Sequence, residues 1–233
     1  MKLGGRLLKS LLLFIPMWMG MPLLVQAAGV DNNSDKAAMA IPARSQFQVV
    51  AATAQHVELL KQGGLVMYMR HGPSDARFPD QLPLQLDKCE SQRPLSDAGR
   101  ELLKQMGRDI SKLKLPYEAV ISSPFCRVQQ SAQLVFGGQI TVDPELRYTA
   151  AMPDAQKKPA VARTRYWLSL PVQDPQKNRV VIAHGPNIAE IMDYLPPEGG
   201  IILFRPKGEA GFEYVASIEP RHWLPLLKEI GQP

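Results

Sequence analysis

The chain has none of the glycine patterns that hold nucleotides. Neither Gly-x-x-x-x-Gly-Lys-Ser/Thr nor Gly-x-Gly-x-x-Gly occurs in its 233 residues, which removes the P-loop enzymes and the usual dinucleotide-binding proteins. Gly-x-Ser-x-Gly is absent as well, and with it the nucleophile elbow of the α/β-hydrolases. Histidine is scarce, at four, and cysteine scarcer, at two. No third His or nearby Cys offers ligand spacing, so no metal site is expected. A strong charge of one sign is also lacking. Three of the 27 basic residues and none of the 22 acidic ones fall in positions 1–27, which leaves 24 against 22 beyond them, a charge of +2. A chain that close to neutrality gives no reason to expect nucleic acid as a partner. Beyond position 27 no apolar run is long enough to span a bilayer.

What is present begins with an export signal. Lys2, Arg6 and Lys9 precede an apolar stretch from Leu11 to Leu24, and Val25-Gln26-Ala27 forms a small-residue cleavage site. Positions 1–27 are therefore expected to be a secretory signal peptide. The alternative is an uncleaved anchor, against which Pro16, Pro22 and the cleavage site all argue. Residues 28–44 are rich in Ala, Asn, Asp and Ser with no hydrophobic period, as expected of a disordered leader. Residues 45–233 suit one domain. The expected location is outside the cytosol, in the periplasm, where an oxidising environment permits a Cys89–Cys126 disulfide. Two buried thiols are the alternative; the even count favours the bridge.

Hydrophobic periodicity predicts an α/β fold. Ser45–Lys61 has a helical stripe of Phe47, Val50, Ala54, Val57 and Leu60, ended by Gly63-Gly64. The expected strands are 65–69, 117–121, 139–142, 179–183, 200–204 and 212–218, the last two joined by a turn at Lys207-Gly208. Helices are expected from Ser96, from about Phe125 to Phe136, from about Ala160 to Leu170, and from Asn187 to Tyr194. Residues 143–160 read as irregular, with Lys157-Lys158 in a solvated loop. Alternating helices and apolar strands predict a three-layer α/β/α sandwich around a mainly parallel sheet.

Two of the expected strands end in histidine. Arg70-His71-Gly72 follows Leu65–Met69, and His184-Gly185 follows Val180–Ala183. The carboxyl ends of strands are where open α/β sheets bind ligands. Arginine suits a phosphoryl group because its planar fork donates two hydrogen bonds and keeps its charge. Arg70 adjoins His71, and Arg127 falls in the first turn of a helix after a strand, where backbone N–H groups and the helix dipole also favour an anion. Like charges beside a histidine lower its pKa and leave a neutral, nucleophilic imidazole. His184 could then donate to the phosphate. His56 and His222 are expected to be structural or at the surface. The connection 73–95 carries Asp75, Arg77, Asp80, Asp87 and Arg93, and loops of that length in compact domains are usually functional.

These residues resemble the histidine phosphatase superfamily, also called phosphoglycerate mutase-like. The matching pieces are Met69-Arg70-His71-Gly72, Arg93-Pro-Leu-Ser-Asp-Ala-Gly99, Ser122-Ser-Pro-Phe-Cys-Arg127 with Ser131-Ala132, and Ala183-His184-Gly185. They occur in the family order over about residues 65–205. The resemblance implies an α/β sandwich, a phosphohistidine intermediate at His71, a phosphate pocket of Arg70, Arg127 and His184, and no metal or organic cofactor. It is nearest to small exported members with one cysteine before a Gln-Arg-x-Leu-Ser segment and another before the second arginine, the places of Cys89 and Cys126.

The chain departs from the family pattern in two places. The loop after Arg-His-Gly lacks the usual Thr and Asn. Tyr148 stands where mutase-like members carry an acid in a Leu-x-Glu pattern, which leaves the general acid open between Asp75 and Glu198, with Glu145 available if the register shifts. The expected activity is that of a phosphomonoesterase acting on a small or envelope-associated phosphorylated substrate. The rival is a non-catalytic phosphate-binding protein of the same fold.

Overall fold

The computed structural model describes residues 47–232. The expected signal peptide, the leader and the first two residues of the expected first helix lie outside that range. Within it run α1 (Ala54–Gln62), β1 (Val66–Arg70), α2 (Asp97–Lys112), β2 (Tyr117–Ser122), α3 (Cys126–Val135), β3 (Ile140–Val142), α4 (Asp154–Ser169), β4 (Asn178–Ala183), α5 (Gly185–Met192), β5 (Ile201–Pro206), β6 (Phe212–Ile218) and α6 (Trp223–Glu229).

The six strands form one sheet in the order β3-β2-β4-β1-β5-β6. The pairings β3-β2, β2-β4 and β4-β1 are parallel, while β1-β5 and β5-β6 are antiparallel. Alternation along the buried strands divides the core between two faces. Met67, Met69, Val180 and Ile182 pack with Val57, Leu103, Val128 and Trp223, from α1, α2, α3 and α6. Val66, Tyr68, Val181 and Ala183 pack with Leu168 and Ile188, from α4 and α5. The three-layer sandwich follows, because strands buried on both faces need helices on both.

Three local expectations are corrected. The first helix begins at Ala54, not Ser45. The chain before it runs along edge strand β6, with Ala52 N–H donating to Ser217 O at 2.9 Å and Ser217 N–H to Val50 O at 2.8 Å. An open sheet edge offers those bonds, and β-branched Val49 and Val50 suit extended backbone. Thr53 then starts the helix, with His56 Nδ1 accepting its backbone N–H at 3.1 Å. The fourth helix starts at Asp154, about six residues early. Its first turns have no apolar stripe to reveal them, and Pro159 sits inside at the cost of one helical bond. Lys157-Lys158 is accordingly helical rather than in a loop, and Lys157 pairs with Glu190 at 2.8 Å. Helix α6, which covers the core with Trp223 and Leu227, is an addition to the expected elements.

Candidate active site

Register brings the two strand-end histidines together. Adjacent β1 and β4 place Arg70 opposite Ala183, so His71 and His184 follow side by side. His71 N–H donates to Ala183 O at 3.0 Å, and the two rings lie 5.4 Å apart between centroids. On the other side of β4, β2 ends level with it, and Ser123 N–H donates to Ile182 O at 2.9 Å. From there Pro124 and Phe125 lead into α3, whose second residue is Arg127. The site thus forms at the carboxyl ends of three neighbouring parallel strands, as that topology favours.

Two glycines permit the close approach. A Cβ on Gly72 would lie 2.5 Å from Leu103 Cδ1. One on Gly185 would lie 2.9 Å from Arg70 Cδ and 3.0 Å from its Nε. Both positions need a bare backbone.

His71 is 1% exposed, and its Nδ1 lies 2.9 Å from Gly72 O. A carbonyl only accepts, so Nδ1 carries the proton and Nε2 holds the free lone pair. Burial, with the charges of Arg127, Arg70 and Arg93 adding to it, pushes the pKa of His71 down to about 3, against the opposing effect of the Gly72 carbonyl. His184 is also held well below its usual value, first by burial and then by His71 and the arginines. Its Nε2 lies 2.9 Å from Ser123 Oγ, and its Nδ1 is buried without a partner. When the Ser123 hydroxyl donates to Nε2, the imidazole proton is on that unpartnered Nδ1.

The cations are fixed around these rings. Arg70 donates from Nη1 to Pro196 O at 2.7 Å, and its Nη2 lies 3.5 Å from Glu198 Oε1. Arg127, which has no exposed side-chain surface, lies with Cζ 4.7 Å from the centre of the Phe125 ring. Ser131 Oγ accepts Gly72 N–H at 3.0 Å and donates to Arg127 O at 2.6 Å, which joins the β1 end to α3. Desolvation lowers both arginines from the usual range, and Glu198 and Asp80 respectively counter it. Arg93 joins the group, since its charge acts on Arg70, His71, Arg127 and His184 alike. Among the described residues, seven buried side-chain polar atoms have no hydrogen-bond partner, and four of them belong here: Arg70 Nε, Arg93 Nε, Arg127 Nε and His184 Nδ1. Unpaired buried donors are costly, and a cluster of them is the signature of a missing acceptor.

The structure therefore brings together Arg70, His71, Arg127 and His184. The two carboxyl candidates separate. Glu198 Oε1 accepts the Ser74 hydroxyl at 2.9 Å and lies 3.9 Å from His71 Nδ1. Asp75 instead pairs with Arg77, 82% exposed, at 2.7 Å and does not join the cluster. Tyr148 faces His184 at 5.4 Å between ring centroids. Arg93 and Asp80 are the residues that sequence reasoning left unplaced. The position of Arg93 directly before the Pro-Leu-Ser that caps α2 was the available signal. Nothing local marks Asp80, which reaches Arg127 across 47 residues. The Cys89–Cys126 disulfide is formed, with Cα atoms 5.6 Å apart. Among the described residues no group of three or more His, Cys, Asp or Glu is placed to hold a metal, and no helix is long and apolar enough to cross a membrane.

Comparison with known proteins bears on the fold. No protein-family model and no curated protein sequence matches. Among solved structures, the product of open reading frame Rv3214 of Mycobacterium tuberculosis shares the fold, at 15% identity, with 67% of this chain and 98% of that one covered and a TM-score of 0.50. A mutant phosphoserine phosphatase of Entamoeba histolytica, solved with phosphoserine, matches at 14% identity over 68% and 98% of the two chains, TM-score 0.49. The protein histidine phosphatase SixA, solved with tungstate, matches at 20% identity over 67% and 97%, TM-score 0.46. At 15% identity the likeness to the Rv3214 product is one of fold, and it agrees with the three-layer sandwich expected from the sequence.

Proposed function

We propose that the protein is a phosphomonoester hydrolase of the histidine phosphatase type, with His71 as nucleophile. The observation that carries this reading is the set of four buried, unpartnered nitrogens on residues whose charges or rings act on a neutral, lone-pair-bearing imidazole. A phosphoryl group supplies the acceptors those nitrogens lack, and His71 Nε2 supplies the electron pair that phosphorus accepts. Arg70, Arg93, Arg127 and His184 hold the non-bridging oxygens. Nε2 attacks phosphorus as the bond to the leaving oxygen breaks, and that oxygen takes a proton from Glu198. Water then attacks the phosphohistidine, returning a proton to Glu198 as the P–N bond breaks and phosphate leaves. Glu198 is preferred to Asp75 because it lies against Arg70 and His71 at 27% exposure, whereas Asp75 turns to Arg77. The disulfide and the amino-terminal signal-like segment support an exported protein, and hence a phosphorylated sugar, envelope glycolipid or small organic phosphate as substrate.

Hydrolysis of an aryl phosphate by the purified mature protein tests the reading. Turnover is expected, with acid-labile, base-stable phosphate on His71 after rapid quench and no turnover in His71→Ala. Glu198→Gln should slow an alkyl phosphate far more than an aryl one, whose leaving group needs little protonation. Saturable phosphate binding with no turnover of either ester would make the protein a binder. Label on a serine or aspartate would overturn the mechanism.

A further inference from the structure

The connection between β1 and α2 lays a carboxylate on the anion site itself. Asp80 Oδ1 accepts from Arg127 Nη1 at 2.8 Å and Asp80 Oδ2 from Nη2 at 3.3 Å. Oδ1 also accepts the Arg93 backbone N–H at 2.8 Å. The Arg127 side chain is 0% exposed and that of Asp80 21%. Asp80 is therefore the more exposed partner of the deepest cation of the site. The Arg127 guanidinium has another support in the Phe125 ring, and its backbone is tied through Ser131 to Gly72. A phosphoryl oxygen and Asp80 would compete for the same two guanidinium nitrogens.

We propose that Asp80 is a resident anion that sets the charge threshold of the site. It occupies Arg127 in the empty protein and yields only to a ligand that interacts more strongly than a carboxylate, as a dianionic phosphomonoester does and a monoanionic diester does not. This rests on the phosphate-binding reading above. The apparent affinity for phosphate is then the intrinsic affinity reduced by the fraction of molecules in which Asp80 has moved aside. The surrounding chain limits that movement. One end is held by the Ser74–Leu95 bridge, and the other by the Cys89–Cys126 disulfide and by Gln92 Oε1, which accepts Cys126 N–H at 2.9 Å. The span between these anchors carries Asp80 and exposed Arg77, and Gln81 N–H, donating to Ser91 O at 2.8 Å, crosses it beside Asp80.

Titration calorimetry with inorganic phosphate at pH 8 compares the wild type, Asp80→Asn and Asp80→Glu. Removing the competing charge should lower the Kd about tenfold. The charge-keeping Asp80→Glu should stay near the wild type. A Kd that rises or stays level in Asp80→Asn would overturn the proposal and make Asp80 a residue that orients Arg127. Phosphate binding to none of the three would overturn the phosphate-site reading and the proposal with it. A wild-type measurement stands beside these in case the variant does not fold. Trypsin cleavage after Arg77 should quicken when phosphate saturates the protein, because the span is released. Slower cleavage would count against displacement.

Discussion

Acidification from pH 7 to pH 5 should destabilise the fold through its two buried imidazoles. Burial and neighbouring guanidinium groups hold His71 near a pKa of 3 and His184 well below its ordinary range. In the unfolded chain both return to about 6.5. Between those values the unfolded state binds protons that the folded state does not. The stabilisation is therefore complete above about pH 6.5 and declines as pH falls toward the folded value. Integrating from pH 7 to 5 gives about 2 kcal/mol for His71, and His184 adds a change of the same sign. In a domain of this size each kcal/mol moves Tm by roughly 2–4 °C, so His71 alone should lower it by about 4–8 °C, and His184 should lower it further. Carboxylates contribute little in this window because their unfolded values lie near 4. Calorimetric scans at half-unit steps should show the slope in the wild type and a shallower one in His71→Gln or His184→Gln. A Tm that stays level from pH 7 to 5, or a slope undiminished by both substitutions, would refute the buried neutral pair.

Other perturbations separate charge, geometry and tether. Arg127→Lys keeps the charge but loses the planar fork, so kcat/KM for a phosphomonoester should fall by about 30- to 150-fold, the equivalent of roughly 2–3 kcal/mol, in steady-state assays with little change in Tm. Gly185→Ala puts a methyl group against Arg70 Cδ at 2.9 Å; phosphate binding by calorimetry should weaken about tenfold as the arginine shifts. Cys89→Ser opens the link between residues 37 apart in sequence. Chain entropy puts its stabilisation at roughly 3–4 kcal/mol, measurable by denaturant titration, and the unreduced, denatured wild type should show no free thiol.

The loop between β1 and α2 shows where local pattern stops being informative. Its charged residues are visible in the sequence, but their assignment is not. Asp75 stands nearest the nucleophile in sequence, yet its side chain meets exposed Arg77 only two residues on. Asp80 meets Arg127 instead, because the path of a chain without regular hydrogen bonds depends on distant anchors such as Cys126. The same limit applies at the ends of elements. The start of α4 carries no apolar stripe, and the segment before α1 takes its conformation from the edge of β6.

What the sequence by itself determined was the layered α/β architecture and four residues of the candidate site. Buried strands read as continuous apolar runs, and a strand that ends in Arg-His-Gly or His-Gly fixes which side chain emerges at its carboxyl end. Those are short-range properties, set by side-chain period and turn chemistry. The tertiary structure decided which strands are neighbours, and so that His71 and His184 share a pocket with Arg127. It also decided that Glu198 rather than Asp75 lies beside His71, and that Arg93 and Asp80 belong to the cluster. These contacts join residues up to 127 positions apart, and their geometry comes from strand register and loop path, which no local pattern encodes.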